Sequence, residues 1–438
     1  MHAVKSCRLN LLLAALAAAL CACGSDSPSV DSPQDTTSIS TEPLTSAACP
    51  AVNFGKRPAP LTLTAATPPA LQVFGVGNET GRYTAEVAAR GTTAYTTTWG
   101  ARTAVGNKID IWDVSGATPT LVDSVIVSGA STLGDVAVSD DGKLLVVATE
   151  RSGGSIVIFD LTDPRHPRQI SRFTNQETDP GVHTAEIGRV NGKLYAFLSI
   201  DPVGSIHAKL VIVDLSDPAN PQQVYSKVAG NPYVHDTFVR DGLLFVALWD
   251  DGVEIWDIGG CGTGATPAAP RVLGNVHTVG GQVHNIWWFH DASGGKRFAF
   301  VGQEGPGSIG SSSAGDIHVV DISDPTAPKE VGFYHVDGAG THNFSVDEAN
   351  GVLYAAYYNG GVRAIDVRGD LKTCLPSQQN FTTGGNITRC DLRLMGREIG
   401  VGLVELNRGV YVWGVQYLGG TIYASDMVNG IWKLKAAK

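Results

Sequence analysis

Residues 210–221 read LVIVDLSDPANP. The first four are apolar and mostly β-branched, the composition of a strand that is buried on both faces. Asp214 ends the run. Ser216, Asp217, Pro218, Asn220 and Pro221 then make a turn, since Asp and Ser side chains bond their own backbone and Pro fixes φ. The unit returns as IDIWDVSGATP (109–119), IVIFDLTDPRHP (156–167), VEIWDIGG (253–260), IHVVDISDPTAP (317–328) and VRAIDVRG (362–369). The aligned aspartates are Asp113, Asp160, Asp214, Asp257, Asp321 and Asp366, 43 to 64 residues apart. A hairpin with a Gly turn precedes most copies, as in SDDGKLLVVA, RVNGKLYAFL, VRDGLLFVAL and EANGVLYAAY, and a further short strand such as QQVYSKV follows.

Each unit is therefore four short antiparallel strands, A to D, with the aspartate at the end of C. Such units at a spacing of about 40–50 residues predict a β-propeller. Counting from Tyr83 gives six complete units and a last A–B–C set, VWGVQY, TIYASD and IWKLK, that has no strand D. Upstream, ALQVFGVG (70–77) is a strand without a partner. The prediction is an all-β, seven-bladed propeller over residues 65–438, its last blade closed by the N-terminal strand so that no sheet edge stays open. Composition agrees: glycine supplies 52 of 438 residues and only 17% are charged, which excludes a coiled coil or a charged helical bundle. The LVIVD string resembles the bacterial LVIVD-repeat family over most of residues 70–438. That resemblance implies a propeller and export from the cytoplasm, but no single activity.

Residues 1–22 have the parts of an export signal: Lys5 and Arg8, an apolar run from Leu9 to Leu20, then small residues. The run is too short to span a bilayer. Its end resembles a bacterial lipobox, which makes Cys23 the lipidated anchor. Gly24, in place of the inner-membrane retention Asp, directs the expectation to the outer membrane. Residues 23–60, rich in Ser, Thr, Pro and Asp, read as a flexible tether. Cys49, Cys261, Cys374 and Cys390 remain, which allows three pairings in an oxidising compartment. Cys374 and Cys390 bracket one insertion, 367–400, and are the favoured pair, leaving Cys49 for Cys261. Net charge is −10, and loss of Lys5 and Arg8 with the leader makes it −12. A nucleic-acid partner is excluded, because affinity for phosphate begins with clustered basic residues.

The functional signal lies at the start of strand A. Aligned on the A–B turns, the seven units place Tyr83, Gly134, His183, His235, His284, His342 and Trp413 at one position. In a propeller strand A is innermost, so these side chains converge on the axis at one mouth. Four consecutive histidines among only 11 in the chain are candidate ligands of a transition metal (Cu, Zn, Mn, Ni or Fe), because imidazole is the commonest ligand for Zn, Cu, Ni and Fe. Glu186 and Asp236 lie nearby as supporting acids, and Tyr83, His183 and His235 are candidates for catalysis. The B–C loops open at the same mouth and offer Glu150, Arg151, Trp249, Asp250, Glu304 and Tyr358, with Trp413, as substrate contacts. The loop 303–315, rich in Gly and Ser, is a candidate lid. Two functions compete. One is a metal-dependent lyase or oxidase acting on a small oxygen-rich or aromatic molecule, similar only in its channel histidines to oligogalacturonate lyases and methanethiol oxidases. The other is a non-catalytic module for a glycan or a protein partner, held to the membrane by its lipid. No nucleophile elbow, Walker loop or Rossmann pattern competes with these.

Overall fold

The computed structural model describes residues 67–288, 297–305, 307–381, 387–404 and 409–437. The proposed signal peptide (1–22), tether (23–60), Cys23 and Cys49 lie outside the described residues. Seven antiparallel sheets form the blades of a propeller, and the helical content of the described residues is one 3-10 turn, Pro376–Gln378.

Blade three shows how the repeat folds. Strands Val182–Val190, Lys193–Ile200, Lys209–Asp214 and Gln222–Val228 pair in chain order. Strands B and C are buried almost end to end, whereas strand D is half-buried along its middle and exposed at both ends. Inner strands are covered on both faces by neighbouring blades, so they read as continuous apolar runs; the outer strand meets water and can be mixed. The core accordingly lies between blades. One cluster joins Phe245 and Ile255 of blade four to Ile286, Trp288 and Val301 of blade five. Another joins Val146 and Ile158 of blade two to Leu198 and Val211 of blade three. Each such side chain contributes about 1.5–3 kcal/mol by leaving water, which holds adjacent blades together without any long-range helix packing.

Closure follows the expectation. Val73–Asn78 pairs antiparallel with Gly430–Lys435 and becomes the outermost strand of the seventh blade. The insertion behaves in a way the repeat did not forecast. Strand D of blade six is Glu398–Gly402, so the inserted segment falls between strands C and D. Its hairpin, Gln379–Phe381 with Thr388–Asp391, docks on the outer strand of blade five, Lys329–Tyr334, through a parallel pairing of Gly332 with Cys390 and Phe333 with Asp391. The Cys374–Cys390 disulfide fastens it. Buried Arg389 supports it by pairing with Glu330, which also accepts a hydrogen bond from His318 Nδ1 at 2.9 Å. Cys261 is disulfide-bonded too.

Candidate functional site

In three blades the start of strand A carries a local irregularity that aims its side chain. In blades three, five and seven the A–B register shifts between Val182 and Thr184, Val283 and Asn285, and Val412 and Gly414. The residue skipped is His183, His284 and Trp413 in turn. A bulged residue leaves the ladder and turns its side chain away from the regular alternation. The adjoining backbone is locked by the previous blade: Val283 N–H donates to the Trp249 carbonyl at 3.1 Å, and Val412 exchanges two hydrogen bonds with Tyr358. Trp249 and Tyr358 hold positive φ of 56° and 42° to make these contacts, as does Arg151 at 68° in the corresponding loop of blade two. Non-glycine residues in this region cost of order 1–3 kcal/mol each, and such residues concentrate at functional sites.

The result is an arc of rings in contact. Centroids are 4.3 Å apart from His183 to His235, 4.2 Å to His284, 4.0 Å to His342 and 4.1 Å to Trp413. His183 Nε2 and His235 Nε2 face each other at 3.1 Å, about the separation of two neighbouring nitrogens held by one ion at ~2.0–2.1 Å. Glu304 enters from the blade-five loop, with Oε2 3.5 Å from His235 Nε2. One ligand atom each from His235, His284 and Glu304 lie within 4.8 Å of one another. His235 Nδ1 and His284 Nδ1 are buried without a hydrogen-bond partner. His342 Nδ1 donates to the Trp413 carbonyl at 2.7 Å, so its Nε2 is the nitrogen with the free lone pair in the neutral ring.

Electrostatics favour ligand-ready forms at His235, His284 and His342, though not at His183. Burial pushes His284 and His342 well below the ordinary imidazole value, and their imidazole neighbours add to it. Burial, with His183 alongside, lowers His235 as well. At His183 burial also pulls downward, but Asp201 at 3.6 Å and Glu150 at 3.9 Å outweigh it, leaving the ring raised. Glu304 is opposed by burial, yet contact with His235, the nearby His284 and the Tyr358 hydroxyl bring it down to about 2. Two neutral imidazoles beside an ionised carboxylate are a donor set that suits a divalent transition metal.

Blade two breaks the arc. A side chain on Gly134 would collide with the His183 carbonyl and with Glu150 Oε1, so glycine there makes room for the Glu150 carboxyl. Trp99 Nε1 donates to Glu150 at 3.1 Å, and burial pushes this carboxyl up to about 7 despite His183 beside it. Four more acids follow the ring positions down strand A: Glu86, Asp135, Glu186 and Asp236. Burial raises all of them, Glu186 to about 8, and the Asp135 charge raises the other three further. Glu86 Oε1 lies 3.6 Å from His342 Nδ1 and occupies space that Gly414 leaves in blade seven. Asp236, expected as a supporting acid, instead accepts the Thr237 N–H at 2.7 Å.

The predicted contacts separate into two groups. Glu150, Trp249, Glu304, Tyr358 and Trp413 meet the arc, with Trp249 stacked on His235 at 5.1 Å. Arg151 and Asp250 are exposed on the rim, and Arg151 Nε reaches Thr132 at 3.2 Å. Tyr83 packs in an aromatic cluster with Trp99, Trp413, Tyr358 and Tyr411 and is not one of the three residues whose ligand atoms converge. Ile309 of the candidate lid packs against the same cluster. Trp99, the last residue of its strand B, and Tyr411 are mouth residues that the sequence pattern does not single out. A family model of the LVIVD repeat matches residues 203–226 and 312–336, strands C and D of blades three and five. No curated protein matches the chain significantly. LVIVD repeats are thus present in blades three and five, two of the three blades (two, three and five) that match the motif best by sequence.

Proposed function

We propose that this propeller binds one transition-metal ion at its mouth and uses it as a metal-dependent enzyme on a small molecule. The observation that carries the reading is the convergence of His235, His284 and Glu304 within 4.8 Å. His183 is the fourth candidate ligand, and His342 lies next in the arc. Three or four protein ligands on an ion that prefers four to six leave positions open to water or substrate, the arrangement of a catalytic rather than a structural site. Such an ion would polarise a substrate oxygen or lower the pKa of bound water, which serves a lyase or an oxidase. Zn, Cu, Fe, Ni and Mn are the candidates, in keeping with the mixed nitrogen and oxygen donors.

Metal analysis of protein purified without chelators tests this directly. About one equivalent is expected, falling at least tenfold in a His235→Ala/His284→Ala double variant. Metal should raise the melting temperature of the wild type, by linkage, and leave the double variant unmoved. A wild type that holds no stoichiometric metal and gains no stability from any of the five ions overturns the reading in favour of a non-catalytic binding module.

We also propose that the chain is carried to the outer membrane and anchored there through lipid on Cys23. Cell fractionation of Cys23→Ser should move the protein from the membrane to the soluble fraction; unchanged membrane attachment overturns the anchor.

A further inference from the structure

Half of the mouth is a wall of aromatic rings. Tyr358 and Tyr411 are buried, with centroids 4.5 Å apart, and Tyr83, Trp99 and Trp413 pack against them half-buried. Trp413 lies 5.8 Å from Trp99 and 5.9 Å from Tyr358. The wall joins the candidate metal ligands twice: Trp413 touches His342 at 4.1 Å, and the Tyr358 hydroxyl donates to Glu304 Oε1 at 2.6 Å. A ring lying on Trp413 therefore holds its substituents beside His342, the ring next to His284 in the arc.

The chemistry of the wall selects among ligands. Two of its polar atoms already have partners within the protein, the Tyr358 hydroxyl on Glu304 and the Trp99 N–H on Glu150. Apart from the Tyr83 hydroxyl, the Trp413 N–H and the Tyr411 hydroxyl, which bonds Ser313, what remains is ring face, which attracts another flat ring by offset or edge-on stacking worth about 0.5–1.5 kcal/mol a pair beyond burial. A sugar would bring several hydroxyls that need hydrogen-bond partners, and burying them unpaired costs about 1–3 kcal/mol each. An arene carrying a carboxylate would meet Glu150, Asp201 and Glu304, all close to the arc. Neutral oxygens on one edge of the ring avoid both penalties and suit the open positions of the ion.

We propose that the mouth binds a neutral arene with adjacent hydroxyls, a catechol-type phenol, its ring on Trp413 and its oxygens at the metal. This rests on the metal reading above and names the ligand class of the same site. Calorimetric titration of the zinc-loaded full-length protein with catechol, trans-1,2-cyclohexanediol and toluene tests it. Catechol is expected to bind at least tenfold more tightly than the diol, which has the oxygens without the flat ring, and than toluene, which has the ring without the oxygens. Trp413→Ala should weaken catechol at least tenfold with zinc content unchanged, and Trp413→Phe should restore most of the affinity. Equal binding of catechol and the diol, or catechol affinity unaltered in Trp413→Ala, overturns the proposal. Zinc content, measured on every sample, tells a failed metal site from a failed ring subsite: a protein that holds zinc but shows no preference for catechol refutes the ligand class alone. A protein that holds no zinc and binds toluene as well as catechol refutes both.

Discussion

The two ends of the propeller obey opposite rules. At the turn end every blade from one to six does the same thing. Asp113, Asp160, Asp214 and Asp321 each accept the backbone N–H two residues on, at 2.7–2.9 Å. Asp257 accepts three, from Gly259, Gly260 and Cys261, and Asp366 accepts one from Arg368. A second aspartate repeats the device in Asp163, Asp217 and Asp324. At the mouth, equivalent positions carry tyrosine, glycine, four histidines and tryptophan. Every blade needs a tight C–D turn to exist, so the turn chemistry is uniform. No blade needs a particular residue at the axis to fold, and there the repeats are free to differ. Within a repeat protein, departures from the repeat mark the site, and agreement with it marks the scaffold.

That contrast predicts a clean separation of effects. The largest loss of stability is expected for Asp257→Ala, which strips three backbone N–H groups and the Thr263 hydroxyl of a buried acceptor. A hydrogen bond to a charged group is worth about 1.5–3 kcal/mol net; the four share one carboxylate and do not add, so a total of at least about 3–4 kcal/mol is expected by chemical denaturation. Asp160→Ala, which removes one backbone partner besides the Thr162 hydroxyl and Arg168 at the solvent-facing turn, should cost clearly less. Both variants should keep the metal content of the wild type. If either loses metal while still folded, the two ends are coupled, and the division of labour drawn here is wrong.

Legibility follows the same division. The fold could be read because its turn signal is local and occurs six times in sequence, and the closing strand because one end lacked what the other had spare. The arc could be read because a common register puts one position of each blade on the axis. The roles within it could not. Glu304, Arg151 and Asp250 all sit in B–C loops, yet only Glu304 turns inward. The backbone bends that decide this, such as the positive φ of Arg151, are set by contacts with the next blade and leave no local trace. Trp99 escaped because a strand-ending tryptophan looks like core. The inserted hairpin on blade five was invisible for another reason: it pairs in parallel over two residues, too short a contact to impose any period on the sequence.

The smallest effect distinguishes histidines at the same end of the molecule. His335 ends strand D of blade five on the outer rim, 44% exposed, with Nδ1 2.7 Å from Asp316 and Nε2 3.0 Å from Asp337. The hydrogen bond to Asp316, reinforced by Asp337, raises it to about 9, whereas burial drives His284 and His342 the other way. A folded-state pKa above the unfolded value of about 6.5 means protonation favours the native state. The stabilisation is therefore complete below about pH 6.5, and it declines as pH rises from there through about 9. Solvent screening at an exposed pair limits it to about 0.2–1 kcal/mol. Denaturation curves of wild type and His335→Gln should differ by that amount at pH 6 and converge at pH 10. In imidazole NMR spectra of the metal-free protein, His335 should titrate on the alkaline side of neutrality, with His284 and His342 already neutral there. If His335 titrates near 6.5, or the two curves stay apart at pH 10, the rim pair is not what sets it apart from the ring.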